Sequence, residues 1–318
     1  MSYRIGSFNV KKLSYAAKDE SLGDNVFARR AYADIGRIIM DDFDIVALQE
    51  VMNERVLSLL FPSFSGWRYS WTRSRSKTDE SDEGYAFAWR EQRIRTIKEP
   101  ELWIQYRHDP VLGSRGLLRH PFYGRFTPAG TTIGGPFCEI RLINTHIRFN
   151  PSRSMQELGG GVADYRHREF MILTQQILNR ISDRRYGDNM PAYTILLGDY
   201  NLNLDAPGYK GPYVDRSFIL VENNERQKKF VTVQDKPTTL RVVQKVDPGT
   251  GNKINVFGGY ANNYDHFTYD EYYFNEQGIS VHTDVVDTVR LYRNGDFEKH
   301  WREISDHIPI MLELSLQR

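Results

Sequence analysis

A single cysteine, Cys138, stands among 318 residues. No intramolecular disulfide can form, which excludes a small disulfide-stapled scaffold and fits a reducing compartment. No run is long and apolar enough to span a membrane as a helix. No internal repeat, low-complexity tract or Pro/Ser-rich linker divides the chain, so the expectation is a single domain over residues 1–318. Neither charge sign dominates: Lys and Arg number 42, Asp and Glu 41, and the net charge is +1. That excludes a global field for capturing nucleic acid and leaves only local basic patches. Met1 to Val10 is strand-like and carries no apolar leader segment, so a cytoplasmic protein with no membrane attachment is expected.

What is present suits a globular fold. Hydrophobic residues make up 40% and aromatics 13%, enough for a substantial core. Tyr3–Asn9 reads as a strand and Asp24–Met40 as a helix, with Tyr32, Ile35 and Ile39 on one face. Asp44–Gln49 and Tyr193–Leu197 are short apolar runs typical of buried strands. Tyr85–Trp89 and Phe137–Phe149 alternate like strands. Asp164–Ile181 is helical, with Phe170, Leu173, Ile177 and Ile181 at spacings of three and four. Thr283–Tyr292 and Ile308–Leu314 look β-rich. Strands outnumber helices, which implies an α/β fold of stacked sheets with helices outside. Stretches 71–84, 106–136, 200–216 and 246–264 read as long surface loops.

Five polar stretches follow or open apolar β-like runs: Gly6-Ser7-Phe8-Asn9, Leu48-Gln49-Glu50-Val51, Asn144-Thr145-His146, Gly198-Asp199-Tyr200-Asn201 and Ser305-Asp306-His307. Strand ends are where α/β sheets present functional groups. Glu50 ends an apolar run, where a carboxylate can hold Mg2+ or simply meet solvent. Asn9 can bind a metal or a phosphate oxygen without adding negative charge, though alone it suits a turn. Asp199 and Asn201, two apart, share a side if the backbone stays extended. Alternation puts Asn144 and His146 on one face, and histidine is a natural proton shuttle. Asp306 can bind metal while His307 handles protons. His307 then needs a carboxylate to fix its tautomer, and Asp265 is the candidate.

The ordered set Phe-Asn, Gln-Glu, Asn-x-His, Gly-Asp-x-Asn, Asp before an aromatic strand, and Ser-Asp-His resembles the endonuclease/exonuclease/phosphatase superfamily, with anchors from Asn9 to His307. The resemblance implies a four-layer α/β sandwich, two facing β-sheets flanked by helices. It also implies phosphodiester or phosphomonoester hydrolysis with a divalent metal, usually Mg2+, with Mn2+ as a substitute. Two segments resemble the deoxyribonuclease I branch. Glu83-Gly84-Tyr85-Ala86-Phe87 is similar to its Glu-x-Tyr-x-Phe strand, whose Glu pairs with the histidine matched by His146. Pro121-Phe122-Tyr123-Gly124-Arg125-Phe126 resembles its segment bearing a phosphate-contacting Arg. The chain departs from that branch in lacking its disulfides and in having Met52 where an Arg touches DNA.

The resemblance implies a metal-dependent phosphodiesterase, a DNase I-like endonuclease acting on DNA in preference to RNA, in which water attacks phosphorus in line. Asn9, Glu50 and Asp306 form the ligand set of one metal. Asp199 and Asn201 sit on the attacking side, where they can take a second metal. His307 with Asp265 assists the water, and His146 with Glu83 protonates the leaving oxygen. The two labels are exchangeable, and Asp199 is an alternative base. Asn9, Arg125 and Asn201 contact substrate. Arg73 and Arg75, with Lys77, lie in a basic loop that the resemblance places in a DNA minor groove. The alternatives are a phosphatase or phospholipase C-like enzyme acting on inositol phosphates or sphingomyelin, and a catalytically dead binding module.

Overall fold

The structure, a computed structural model, describes residues 2–15, 31–74, 83–105, 117–130, 138–150, 161–184, 190–204, 213–222 and 226–316. In chain order the strands are β1 (Ser2–Leu13), β2 (Ile45–Val51), β3 (Trp67–Arg73), β4 (Gly84–Arg90), β5 (Ile94–Leu102), β6 (Phe122–Pro128), β7 (Glu139–His146), β8 (Ala192–Asp199), β9 (Asn203–Leu204), β10 (Tyr213–Val214), β11 (Ser217–Glu222), β12 (Arg226–Val233), β13 (Leu240–Val246), β14 (Lys253–Tyr260), β15 (Asp265–Asp270), β16 (Ile279–Val285) and β17 (Ile310–Leu316). The helices are α1 (Tyr32–Asp42), α2 (Arg55–Leu60), α3 (Val162–Met171, running on through a π-helical Ile172–Leu178 into Asn179–Ser182), α4 (Glu271–Glu276), α5 (Thr288–Arg293) and α6 (Phe297–Glu303).

Two large sheets form. One has the order β16-β17-β1-β2-β4-β3, the other β11-β12-β15-β8-β7-β6-β5. Successive side chains on a strand point to opposite faces, and here both faces are apolar. Ile5, Ala47, Phe87, Leu142, Ile195, Leu197, Phe267 and Leu312 meet between the sheets. The intervening Phe8, Val46, Leu48 and Ala88 face outward under Ile35, Ile38, Ile39, Val56 and Leu57 of α1 and α2. On the second sheet, Ile143 and Leu196 face outward under Tyr165, Leu173 and Ile177 of α3. Three apolar clusters thus separate four layers: helix, sheet, sheet, helix. Fully burying one such side chain stabilises the fold by roughly 1.5–3 kcal/mol.

Several sequence expectations shift. Helix α1 begins at Tyr32, and residues 24–30 of the expected helix lie outside the described residues. Thr283–Tyr292 is not all strand. β16 ends at Val285, and Asp287 caps α5 by accepting a hydrogen bond from Arg290 N at 3.2 Å, a local signal that outweighs the β-branched composition. Stretch 106–136 contains β6, and 246–264 contains β14, which pairs with β13 as a hairpin whose side chains are mostly exposed. An exposed hairpin has little apolar periodicity to mark it.

Candidate active site

The inter-sheet face of each central strand is apolar along its length and turns polar at one end. Ile5 gives way to Ser7 and Asn9 on β1, and Ala47 to Gln49 on β2. Leu142 leads to Asn144 and His146 on β7, and Leu197 to Asp199 on β8. Strand β15 runs the other way and opens with Asp265. The registers set these groups side by side: Asn9 opposite Gln49, His146 opposite Asp199, and Asp199 opposite Asp265. His307 precedes β17, the neighbour of β1. The period-two alternation that builds the core therefore also gathers the polar groups, at one end of the sandwich.

Backbone conformation aims them. Gly198 has φ +144°, and a Cβ there would lie 1.9 Å from the Thr145 carbonyl oxygen. Only glycine permits that approach of β8 to β7. Lys11, Lys12, Glu50 and Asn201 hold left-handed φ values of 46°, 47°, 60° and 51°. Non-glycine residues in such conformations are uncommon and concentrate at functional sites. The bulge of β1 between Asn9 and Leu13 turns Lys11 N toward Asn9 Oδ1 and Lys12 N toward Glu50 Oε2, each at 3.0 Å.

Asp199 is the hub. Its Oδ2 accepts from Asn9 Nδ2 at 3.0 Å and faces His146 Nε2 at 3.5 Å and His307 Nε2 at 3.8 Å. Asn9 Nδ2 also donates to Glu50 Oε1 at 3.1 Å. Asp265 Oδ2 binds His307 Nδ1 at 2.7 Å, leaving Nε2 toward Asp199. Glu83 Oε2 is 3.5 Å from His146 Nδ1, and the Tyr85 hydroxyl accepts from His146 N at 3.2 Å. Burial pushes the Asp199 carboxyl up. Burial, Arg119, His307 and Arg148 hold His146 well below the usual imidazole range. Burial also opposes charge on His307, but Asp265, Asp199 and Asp306 outweigh it and raise its pKa.

The donor chemistry fits a hard divalent cation. Asn9, Glu50, Asp199 and Asp306 offer oxygen ligands. Ligating atoms of Asp199, Asp265 and His307 also lie within 4.8 Å of one another. Asp265 Oδ1 is buried with no hydrogen-bond partner among the described residues, and crowded, buried carboxylates call for a compensating cation. Asp306 is partly exposed, 4.0 Å from Lys11 Nζ.

The remaining expected site residues fall as follows. Arg125 lies along β6 opposite Arg141, away from the polar end. It donates to the fully buried Glu139 at 2.6 Å, and Arg141 pairs with the same carboxylate. Burial would raise the Glu139 carboxyl, but the two guanidiniums hold it below its ordinary value. Arg125 thus stands in an ion pair with Glu139. Arg119 stands at the site, 2.5 Å from Glu83 Oε2. β6 runs antiparallel to β7 with Phe122 opposite Asn144, so residues just before β6 fall beside His146. A pairing direction of this kind cannot be read from the segment alone. Arg73 ends β3, exposed and opposite Gly84; Arg75 and Lys77 lie outside the described residues. The Asn201 amide nitrogen donates to Ile147 O at 2.7 Å, and its backbone N donates to Asp199 Oδ1 at 2.8 Å.

Residues 1–307 match the model of the endonuclease/exonuclease/phosphatase family. The chain belongs to this family. Its members are phosphoester hydrolases, generally dependent on a divalent metal. No curated protein sequence matches the chain, but solved structures share the fold of this family. A mannosyl-6-phosphatase of Bacteroides thetaiotaomicron is similar at 18% identity, TM-score 0.52, over 99% of this chain and 100% of that one. TDP2 from D. rerio, complexed with a single-strand DNA product, is similar at 14% identity, TM-score 0.53, over 99% of both chains. ANGEL2, a 2',3'-cyclic phosphatase bound to adenosine-2',3'-vanadate, is similar at 16% identity, TM-score 0.52, over 100% and 96%.

Proposed function

We propose that this family member is a phosphodiesterase that cleaves nucleic acid, DNA in preference to RNA. The observation that carries the reading is the placement of two imidazoles, His146 and His307, both directed at Asp199 and each beside its own carboxylate, Glu83 or Asp265. Cleaving a diester requires a proton taken from water and a proton given to a poor alkoxide leaving group, and two oriented imidazoles can do both. Asn9, Glu50 and Asp306 would hold a divalent metal, which would supply Lewis-acid charge to the reaction. Asp199 and Asn201 orient the attacking water. His307, fixed by Asp265, and His146, beside Glu83, divide the two proton transfers, the raised pKa of His307 suiting the donor and the lowered pKa of His146 the acceptor. Arg148 supplies positive charge on the His146 side, where it acts electrostatically on that ring, while the Arg119 charge is compensated by Glu83. Such charge suits a polyanionic substrate.

The test is a substrate panel with Mg2+, Mn2+ or EDTA: supercoiled plasmid, single-stranded DNA, RNA, sphingomyelin, inositol phosphates and a sugar phosphomonoester. Metal-dependent cleavage of DNA above the rest supports the reading. Turnover confined to monoesters or lipid substrates overturns it.

A further inference from the structure

Three residues beyond His146 stands Phe149, 47% exposed. An isolated surface phenylalanine is ordinary, but this one is braced. The Arg166 guanidinium lies 4.1 Å from the Phe149 ring centroid. The same guanidinium donates through Nε to Phe149 O at 2.9 Å and through Nη1 to Asn201 O at 2.8 Å. Arg166 is only 4% exposed, so a buried cation holds the ring in place. Asn201 closes the frame through its amide bond to Ile147 O. The ring is thereby tied both to the Asn201 turn and to the segment leaving β7. Tyr264, next to Asp265, approaches it with centroids 6.2 Å apart and planes tilted by 51°.

A fixed aromatic ring has already given up its rotational freedom and offers a large flat face to a second ring. A guanidinium against one face withdraws electron density and favours an electron-rich partner on the exposed part of the ring. Nucleobases are such partners, and stacking on aromatic side chains tolerates any of them. A base inside a duplex has both faces covered by its neighbours and cannot stack in this way unless it is extruded.

We infer that Phe149, braced by Arg166, is the stacking platform for the nucleobase adjoining the scissile phosphate on its His146 side, so that the strand enters the site unpaired. The inference rests on the nucleic-acid reading above and adds to it a preference for single strands or frayed ends.

The experiment compares a short single-stranded DNA with the same strand carrying an abasic nucleotide beside the mapped cleavage position, at saturating Mg2+ or Mn2+. Phe149→Ala should raise KM for the intact strand roughly 5- to 100-fold, the range of a lost base stack, with a smaller change in kcat. Phe149→Trp should restore it and Phe149→Leu should not. Wild type should handle the abasic strand about as poorly as Phe149→Ala handles the intact one, and Phe149→Ala should add no further loss there. Quenching of a 2-aminopurine base at that position should be present with wild type and Phe149→Trp and absent with Phe149→Ala. Equal losses on intact and abasic strands, or rescue by Leu as good as by Trp, would show a merely structural role and overturn the platform. Wild-type cleavage that ignores the missing base overturns the platform while the nuclease reading stands. Failure of wild type to cleave any oligonucleotide with either metal removes the nuclease reading and the platform with it.

Discussion

Arg119 holds the Glu83 carboxylate at 2.5 Å, both side chains almost wholly buried. Glu83 is thus closer to this guanidinium than to His146, at 3.5 Å. Removing one member of a buried pair leaves the other charge uncompensated, at a cost of about 3–5 kcal/mol. Arg119→Ala should lower the melting temperature sharply, and Arg119→Ala with Glu83→Gln should recover part of the loss. Calorimetric melts of the two variants decide it; a double variant less stable than Arg119→Ala would mean that Glu83 has another buried partner of equal weight.

Glu50 and Asp199 crowd the same Asn9 amide. Glu50→Gln should leave the metal-free protein as stable as wild type or slightly more so, because one negative charge leaves the cluster. It should also abolish the rise in melting temperature that millimolar Mg2+ or Mn2+ gives wild type, since binding to the native state alone raises stability. An undiminished metal-induced shift in the variant would remove Glu50 from the ligand set.

His307 and Asp265 form the tightest imidazole–carboxylate bond of the site, 2.7 Å. His307→Ala should slow turnover at least roughly a hundredfold, the usual scale for a general acid or base. Asp265→Asn should cost similarly or less. The double variant should be little worse than His307→Ala, since partners acting as a unit are non-additive. Multiplicative losses in single-turnover rates would show that the two act independently.

Stability should fall on the acid side through His300. This buried ring gives its Nδ1 proton to Ser305 O at 2.8 Å and meets the Thr288 hydroxyl with Nε2 at 2.7 Å. Burial lowers its pKa from 6.5 to about 4. The folded state therefore binds the proton less readily than the unfolded chain. The contribution is complete above pH 6.5 and is lost as pH falls through about 4, a change of about 3 kcal/mol at most. Urea titrations between pH 7 and 4 should show this slope, and His300→Gln should be less stable at pH 7 but have a shallower acid limb. An unchanged limb would place the acid sensitivity elsewhere, such as at Glu139, whose carboxyl is also held below its ordinary value.

Gly198→Ala should be among the most damaging single changes. Its Cβ would meet Thr145 O at 1.9 Å with φ at +144°, and neither strand can yield without displacing Asp199 or His146. The expected loss is about 2–4 kcal/mol, read by denaturant unfolding. A variant of wild-type stability would show that β7 and β8 separate easily at that point.

The sequence by itself determined the alternation of Ile5-Ser7-Asn9, Leu142-Asn144-His146 and Leu197-Asp199, and with it which side chains share the face between the sheets. It also carried the ordered motifs from Asn9 to His307 that mark the family, because strand-end chemistry is written locally. Only the tertiary structure decided how those strand ends meet. Parallel pairing of β7 with β8 and antiparallel pairing of β8 with β15 set His146, Asp199 and Asp265 abreast, although the first and last lie 119 positions apart in the chain. The direction of β6 set Arg119 beside Glu83, since alternation says which face a side chain takes but not which end of a strand lies beside its partner. The brace of Arg166 on Phe149 was equally invisible, because a contact between a helix and a loop leaves no period in the sequence; the packing of α3 against the second sheet creates it.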